Sequence, residues 1–272
     1  MMNNSVNTNG GALLGQKFLR SNAMEMSIVQ NRLSSGLRVN SVTDDASTFA
    51  VAASMRGDIK SYTAIAASLA GSKITATVAI QAGETMSKRL EDVKAKIVQL
   101  ADDSLSTASR STYQVDLNSM VLEINRYLTQ SGYNGTNLLG SGGSNVLVVA
   151  NIDASAFTLR AQNIADLSAA VLTSITNSTT ARDALSVLAI FKGNLDTGLA
   201  NLGADLKRLE AQVEFIKQTE ETVRIGLGAL VDADIAKETA AIQSLQVRQQ
   251  LGVQAMGIAN QAPQTLLNLF RG

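Results

Sequence analysis

The chain has 272 residues, with 23 Lys plus Arg against 23 Asp plus Glu, so its formal charge is zero and the basic footprint of a nucleic-acid binder is absent. It holds no histidine and no cysteine, which excludes disulfide scaffolds, thiolate chemistry, the common zinc sites and imidazole-based catalysis. A single proline and an aromatic content of 4% leave a chain with almost no helix breakers and little bulky core material, a profile suited to long helices.

The first fifteen residues carry no charged side chain, so they lack the basic start of a cleavable secretory signal. No run of 18 apolar residues occurs, and no membrane insertion is expected. The first helical pattern follows, with Leu19, Ala23, Met26, Gln30, Leu33 and Leu37 spaced four and three apart. After Gly36 the stretch Arg38 to Asp45 reads as a loop, with Thr43 or Asp44 able to cap the next helix. That helix, rich in small residues, is expected over Ala46 to Ser104, and its seam tightens at Met86, Leu90, Val93, Ile97 and Leu100.

A third helix is expected over Thr112 to Gln130, with Leu117, Val121, Ile124 and Leu128 on one face, ended by Gly132 and the turn-prone Asn134-Gly135. Gly140 to Ser144 reads as a flexible turn. Val146 to Val149 and Phe157 to Leu159 then read as two short strands joined around Asn151 to Ser155. Residues 165–180 form a Ser/Thr-rich stretch of loop or short helix.

The strongest periodicity runs from Leu185 through Leu188, Lys192, Leu195, Leu199, Leu202, Leu206, Leu209, Val213, Ile216, Glu220, Val223 and Leu227 to Leu230. Twelve of these fourteen positions are apolar, the rhythm of a left-handed coiled-coil seam. The rhythm fails at Asp234 and resumes one residue later at Ile235, then Ile242, Leu245, Gly252, Met256 and Ala259, which marks a joint between two long helices. In the second of them Arg248 is the only charged side chain between Thr239 and Phe270, and glutamines occupy the polar positions. A helix that is apolar on one side and neutral-polar on the other suits burial in an assembly. Pro263 is expected to end it. The fold class is therefore mainly α: long antiparallel helices in a coiled-coil-like bundle with a small central β-hairpin.

No constellation for catalysis emerges. Asp44 and Asp45 are adjacent and do not face one another on a helix. Gly140 to Ser144 lacks the Lys of a phosphate loop, and Gly226-Leu227-Gly228 lies inside the heptad pattern. Met24, Met26, Met86 and Met256 read as adaptable packing. No enzyme activity, cofactor or metal is expected.

Three motifs carry a resemblance. Arg32-Leu33-Ser34-Ser35-Gly36-Leu37-Arg38-Val39-Asn40-Ser41 followed by Asp44-Asp45-Ala46 resembles the N-terminal signature of bacterial flagellin. Tyr133-Asn134-Gly135-Thr136-Asn137-Leu138-Leu139 is similar to an internal turn of that family. Gln249-Gln250-Leu251-Gly252, Ala259 to Gln264 and the ending Leu266 to Arg271 resemble its C-terminal signature. The likeness covers both ends and most of the chain.

The resemblance implies a short form of flagellin. Residues 1–43 with 232–272 would form the inner-core D0 helices. Residues 44–231 would form the D1 bundle, with a hairpin near 145–161 and no outer D2 or D3 domain. It implies a subunit exported unfolded and polymerised at the distal tip of the extracellular flagellar filament. The implied partners are further copies of itself, the flagellar export apparatus, an export chaperone, and hook-junction and cap proteins. The expected D0 subunit-interface residues are Leu19, Met26, Leu33, Ile242, Leu245, Gln249, Gly252, Met256, Leu266 and Phe270. The expected loop contacts between D0 and D1 are Arg32, Ser34, Ser35, Gly36, Arg38, Asn40, Asp44 and Asp45.

Leu90 to Gln99 aligns with the family helix read by the vertebrate flagellin receptor. Asp92 stands where that family has an arginine and Lys96 where it has a leucine, which implies a poor agonist. Three other readings stay open: a hook–filament junction subunit, a soluble coiled-coil adaptor with folded termini, and a flagellin hosting an enzyme domain. The short middle and the absence of histidine speak against the last.

Overall fold

The computed structural model describes residues 8–168, 172 and 174–269, except for the side chains of 262–269. The elements run α1 (Gly10–Ser35), α2 (Ala46–Leu100), α3 (Thr107–Gln130), β1 (Gly132–Tyr133), β2 (Thr136–Asn137), β3 (Val146–Val149), β4 (Ala156–Leu159), α4 (Ser178–Val231) and α5 (Ile235–Leu269). The strands form two antiparallel two-stranded ribbons, β1 with β2 and β3 with β4. The mainly helical architecture with a central hairpin is thus observed. The chain divides into two compact units, 1–57 with 222–272 and 58–221.

In the larger unit the heptad rhythm of α2 extends well beyond the expected seam. Tyr62, Ile65, Leu69, Ala76, Ala79, Met86, Leu90, Val93, Ile97 and Leu100 are all buried. Burying each of the larger side chains contributes about 2 kcal/mol. Gly83 lies on the same face, where Leu199 of α4 presses against its backbone. A window of 18 residues in α2 has a mean hydropathy of 1.4, so among the described residues one helix is long and apolar enough to cross a membrane, contrary to expectation. Alanine, isoleucine and valine interleaved with neutral Ser, Thr and Gly raise the average without any unbroken apolar run. In this structure that helix contributes its buried stripe to the unit, and Lys73 pairs with Glu210 of α4 at 2.7 Å.

Helix α2 ends at Leu100, four residues before the expected Ser104, where the Arg110 guanidinium donates to the Leu100 and Asp102 carbonyls. Helix α3 begins earlier than expected because Ser106 caps it, its hydroxyl accepting from the Ser109 N–H at 3.1 Å. Leu117, Val121, Ile124 and Leu128 are all fully buried, as their spacing predicts.

Asn134 and Gly135 both have positive φ, 50° and 78°, in the tight turn between β1 and β2. Asn137 then knots the chain: its Oδ1 accepts from the Leu139 and Gly140 N–H groups and its Nδ2 donates to the Leu128 carbonyl. In the β3–β4 hairpin Val146 pairs with Leu159 and Val148 with Phe157. The described part of 165–177 is held to α3 by two carboxamides. Asn125 exchanges two hydrogen bonds with the Leu167 backbone, and Gln114 joins the Leu172 carbonyl and the Ile175 N–H.

The seam of α4 is half as expected. Leu188, Leu195, Leu202, Leu209 and Ile216 are buried. The second buried column is Ala184, Phe191, Gly198 and Asp205, one residue before the expected Leu185, Lys192, Leu199 and Leu206, which are half-buried. The cause is a second neighbour. Gly198 lies against Ile164 and Gln162, Arg208 stacks on Phe157 at 4.5 Å, and Gln212 donates to the Ala150 carbonyl. A helix covered on two sides buries a wider stripe than a coiled-coil seam.

Candidate assembly surface

The smaller unit is built on an antiparallel pair, α1 against α5. Asn9 caps α1, its Oδ1 accepting from the Ala12 N–H at 3.0 Å. Contacts then step along the pair in order: Asn9 with Ala259, Gly11 with Ala259, Gly15 with Met256, Leu19 with Gly252, Asn22 with Leu245 and Arg32 with Glu238. Gly252 is buried, and a Cβ added there would fall 2.8 Å from Leu19 Cδ2. Here glycine permits the close helix approach.

Two polar residues sit in this seam. Asn22 is buried and its Nδ2 donates to the Leu245 carbonyl at 3.0 Å. Glu238 is buried and meets Arg32 Nη1 at 3.5 Å. Asn22 and Val29 are the buried positions of α1, displacing the expected Ala23 and Gln30, which are exposed. Ile235, expected in the seam, is 46% exposed, and Glu238 lies inward instead. Asp234 caps α5, accepting from the Ala236 and Lys237 N–H groups, so Ile235 is the first helical residue.

The structure therefore uses several expected subunit-interface residues inside the chain itself. Leu245 and Gly252 are buried in the α1–α5 contact, Leu19, Met26, Leu33, Ile242 and Met256 are half-buried, and Gln249 is exposed. The side chain of Leu266 and the whole of Phe270 lie outside the described residues. Helix α5 continues past Pro263 to Leu269, correcting the expected end there. Proline cannot donate to the carbonyl four residues earlier, and Asn9 Nδ2 supplies that donor to Ala259 at 2.8 Å.

The signature loop closes the other end of the pair. Gly36 takes a positive φ of 70° and its N–H donates to the Arg32 carbonyl, a left-handed cap. Leu37 bridges to Asp232, the Arg38 N–H donates to the Val231 carbonyl at 2.7 Å, and the Ala233 N–H donates to the Gly36 carbonyl at 2.9 Å. Val39, Ala52 and Val231 form a small core beneath, flanked by Leu37, Phe49 and Leu227. The hydroxyls of Ser34 and Ser35 donate to the Asn31 carbonyl, at 3.0 and 2.8 Å.

The two acids of the signature divide the work. Asp44 closes the loop: its carboxylate accepts from the N–H groups of Asn40 and Ser41 and from the Ser41 hydroxyl. The Ser41 and Asn40 N–H groups, then that hydroxyl, hold its carboxyl below the usual carboxylate value. Asp45 caps α2, the role expected of Thr43 or Asp44. Its carboxylate accepts from the Thr48 and Ser47 hydroxyls and their N–H groups, which lower its pKa to about 2, Thr48 having the largest effect. The helix starts at Ala46 as expected, so Asp45, the residue just before it, is the one placed to reach its first free N–H groups.

On the larger unit, Asp92 pairs with Arg89 at 3.5 Å. Lys96 pairs with Asp116 at 2.7 Å and lies 5.0 Å from the Tyr113 ring centre. Lys96 thus ties α2 to α3 instead of standing free.

What is exposed on the α1–α5 pair is apolar to an unusual degree. Leu14, Phe18 and Met24 on α1 and Val247, Leu251, Val253 and Ile258 on α5 are each at least half exposed. Glutamines fill much of the remaining α5 surface. Sequence reasoning missed Asn9, Asn22 and Glu238, and named Asp45 as a loop contact without its role as the α2 cap. A cap signal was present for Asn9 and Asp45, one residue before each helix, and none existed for Asn22.

Comparisons with known proteins agree with this construction. Residues 6–143 match the model of the bacterial flagellin N-terminal helical region, and residues 192–270 match that of the C-terminal helical region. The chain is 35% identical over 271 residues to the flagellin FljO of Caulobacter vibrioides, covering 98% of this chain and 99% of that one. It is 33% identical over 282 residues to a flagellin of Brucella melitensis, covering 98% and 99%. Its fold is similar to that of a protein of Vibrio parahaemolyticus described as a flagellar hook-associated protein. That match has a TM-score of 0.58 and 16% identity, and covers 70% of this chain and 100% of that one. With both terminal helical regions matched and identity of this level over nearly its whole length, the chain belongs to the bacterial flagellin family.

Proposed function

We propose that this chain is the structural subunit that polymerises into the helical filament of a bacterial flagellum, outside the cell. The observation that carries the reading is the α1–α5 pair, whose apolar side chains point outward on both helices. Water contact at these residues is unfavourable, and packing against further copies relieves it. A contact repeated head to tail without closure yields a filament.

In this reading residues 1–43 with 232–272 are the D0 inner core, 44–231 are D1, and no outer domain is present. The signature loop, from Arg32 to Asp45, closes the α1–α5 pair through its hydrogen bonds to Val231 and Ala233. The subunit acts by assembly and not by catalysis. It passes unfolded through the flagellar export apparatus with an export chaperone, and it joins the filament beneath the cap, beyond the hook-junction proteins. The salt-bridged Asp92 and Lys96 make it a weak agonist of the vertebrate flagellin receptor.

The test is deletion of Thr239 to Gly272. The truncated chain is expected to be soluble, helical and unable to polymerise, while the full chain forms filaments visible in negative stain. Filaments from the truncated chain would refute the reading. Counting copies per filament separates a filament subunit from a hook–filament junction subunit.

A further inference from the structure

The two flanks of α5 differ in chemistry. At about 100° per residue, Leu251 lies about 100° to one side of the buried Gly252 and Val253 about 100° to the other. The Leu251 side opens into an apolar groove of about 770 Å³ between α1 and α5, floored by Leu14, Phe18, Leu251 and Ala255 and edged by Lys17 and Arg248. The Val253 side is neutral, a surface of Gln246, Gln249, Gln250 and Gln254 around that one valine.

Charge narrows what can cover the groove. Residues 1–24 and 239–272 contain Lys17, Arg20, Arg248 and Arg271 and no Asp or Glu. Groove against groove would bring Lys17 and Arg248 of one copy onto the same cations of another, a like-charge contact that disfavours that pairing. Ammonium and guanidinium groups only donate hydrogen bonds. The opposite flank of α5 supplies a cluster of neutral acceptors, the carboxamides of Gln246, Gln249, Gln250 and Gln254.

We propose that the groove edged by Lys17 and Arg248 receives the glutamine flank of α5 from a second copy of this chain. Val253 enters the apolar floor and the Gln246, Gln249, Gln250 and Gln254 carboxamides accept from the two cations at the rim. The Leu251 and Val253 flanks lie on opposite sides of α5, so each copy offers its glutamine flank to the groove of the next and the contact propagates without closing. This inference rests on the filament reading above and specifies which face of the subunit meets which.

Two experiments test it. The chain has no cysteine, so introduced thiols are unique. Filaments of the Leu251→Cys/Val253→Cys variant, treated with a short bifunctional maleimide, are expected to give a ladder of covalent oligomers, and each single variant none. Dimers from Leu251→Cys alone would show groove meeting groove and overturn the proposal. Intact filaments without any cross-link would also overturn it, leaving the filament reading in place. A wild-type chain that forms no filaments removes both. Should that pair not assemble, Gln250→Cys/Ala255→Cys places thiols on the same two flanks.

The second experiment uses charge at the exposed position 250. Gln250→Lys is expected to raise the critical concentration for polymerisation about tenfold, and Gln250→Glu to lower it, because the substituted side chain faces two cations. Equal effects from the two substitutions would overturn the proposal.

Discussion

Asn9 and Ala259 are joined by a hydrogen bond of 2.8 Å, from the Asn9 carboxamide N–H to the Ala259 carbonyl, across 250 residues of sequence. The same carboxamide caps α1 through its oxygen. Pro263 leaves the Ala259 carbonyl without its helical donor, so one side chain starts the first helix and repairs the last.

Substitution at Asn9 separates these two roles. Asn9→Ala removes both and is expected to lower the stability of the assembled terminal helices by about 1–2 kcal/mol, the sum of a lost cap and an unpaired carbonyl. Asn9→Asp keeps the acceptor and loses the donor. Amide hydrogen exchange on filaments checks this: exchange at Ala12 stays slow in Asn9→Asp and speeds up in Asn9→Ala, while the α5 end loosens in both.

Gly252 tolerates little. Its added Cβ in Gly252→Ala is crowded by the flexible tip of Leu19, 2.8 Å away, and makes an ordinary contact with Phe18 at 3.5 Å, so a small shift of the Leu19 tip accommodates it. Gly252→Leu cannot be accommodated without separating α1 from α5. Sedimentation of polymer is expected to show near-normal assembly for alanine and loss of assembly for leucine. Circular dichroism of the leucine monomer is expected to stay close to that of wild type.

The cap of α2 is acid-sensitive. Asp45 has its folded-state pKa lowered from 3.8 to about 2. A lowered pKa means that the ionised carboxylate favours the folded loop. That contribution is complete above pH 3.8, declines below it and is gone once the pH falls through about 2. Asp44, also lowered, acts in the same direction. Amide exchange at Ser47 and Thr48 is expected to quicken across this window, and Asp45→Asn to abolish the dependence at these two sites.

Lys96 binds α2 to α3 through Asp116 and Tyr113. Asp116 is about half exposed, so solvent screens the pair, and Lys96→Leu is expected to cost about 1 kcal/mol or less in thermal unfolding of the monomer. In receptor-reporter cells the wild-type chain is expected to be a weak agonist, and Asp92→Arg/Lys96→Leu a stronger one. Ordinary potency of the wild type would refute the assignment.

What was legible in the sequence was local. Apolar spacing located the seam of α2 from Met86 to Leu100, all five positions of which are buried, and one buried column of α4. Leu117, Val121, Ile124 and Leu128 marked the face of α3, and Asp232 to Asp234 marked the joint between α4 and α5. These signals depend on neighbours within two or three helical turns, so a single chain segment contains them. Likewise the two signature ends identified the family, because the residue order itself carries that likeness.

The second buried column of α1 and of α4 was decided only by tertiary structure. Asn22 and Asp205 are polar, and the apolar spacing passes over both positions. Asn22 lies inward because its donor meets the Leu245 carbonyl, 223 residues away, and a buried amide with a partner no longer resists burial. Gly198 and Asp205 are buried because the chain around Ile164 and the β3–β4 hairpin cover a side of α4 that a two-helix seam leaves open. Pro263 follows the same logic: its own sequence predicts a break, and the helix persists where Asn9 reaches across. Polarity along a chain records what a residue costs to bury alone, and the fold determines whether it is alone.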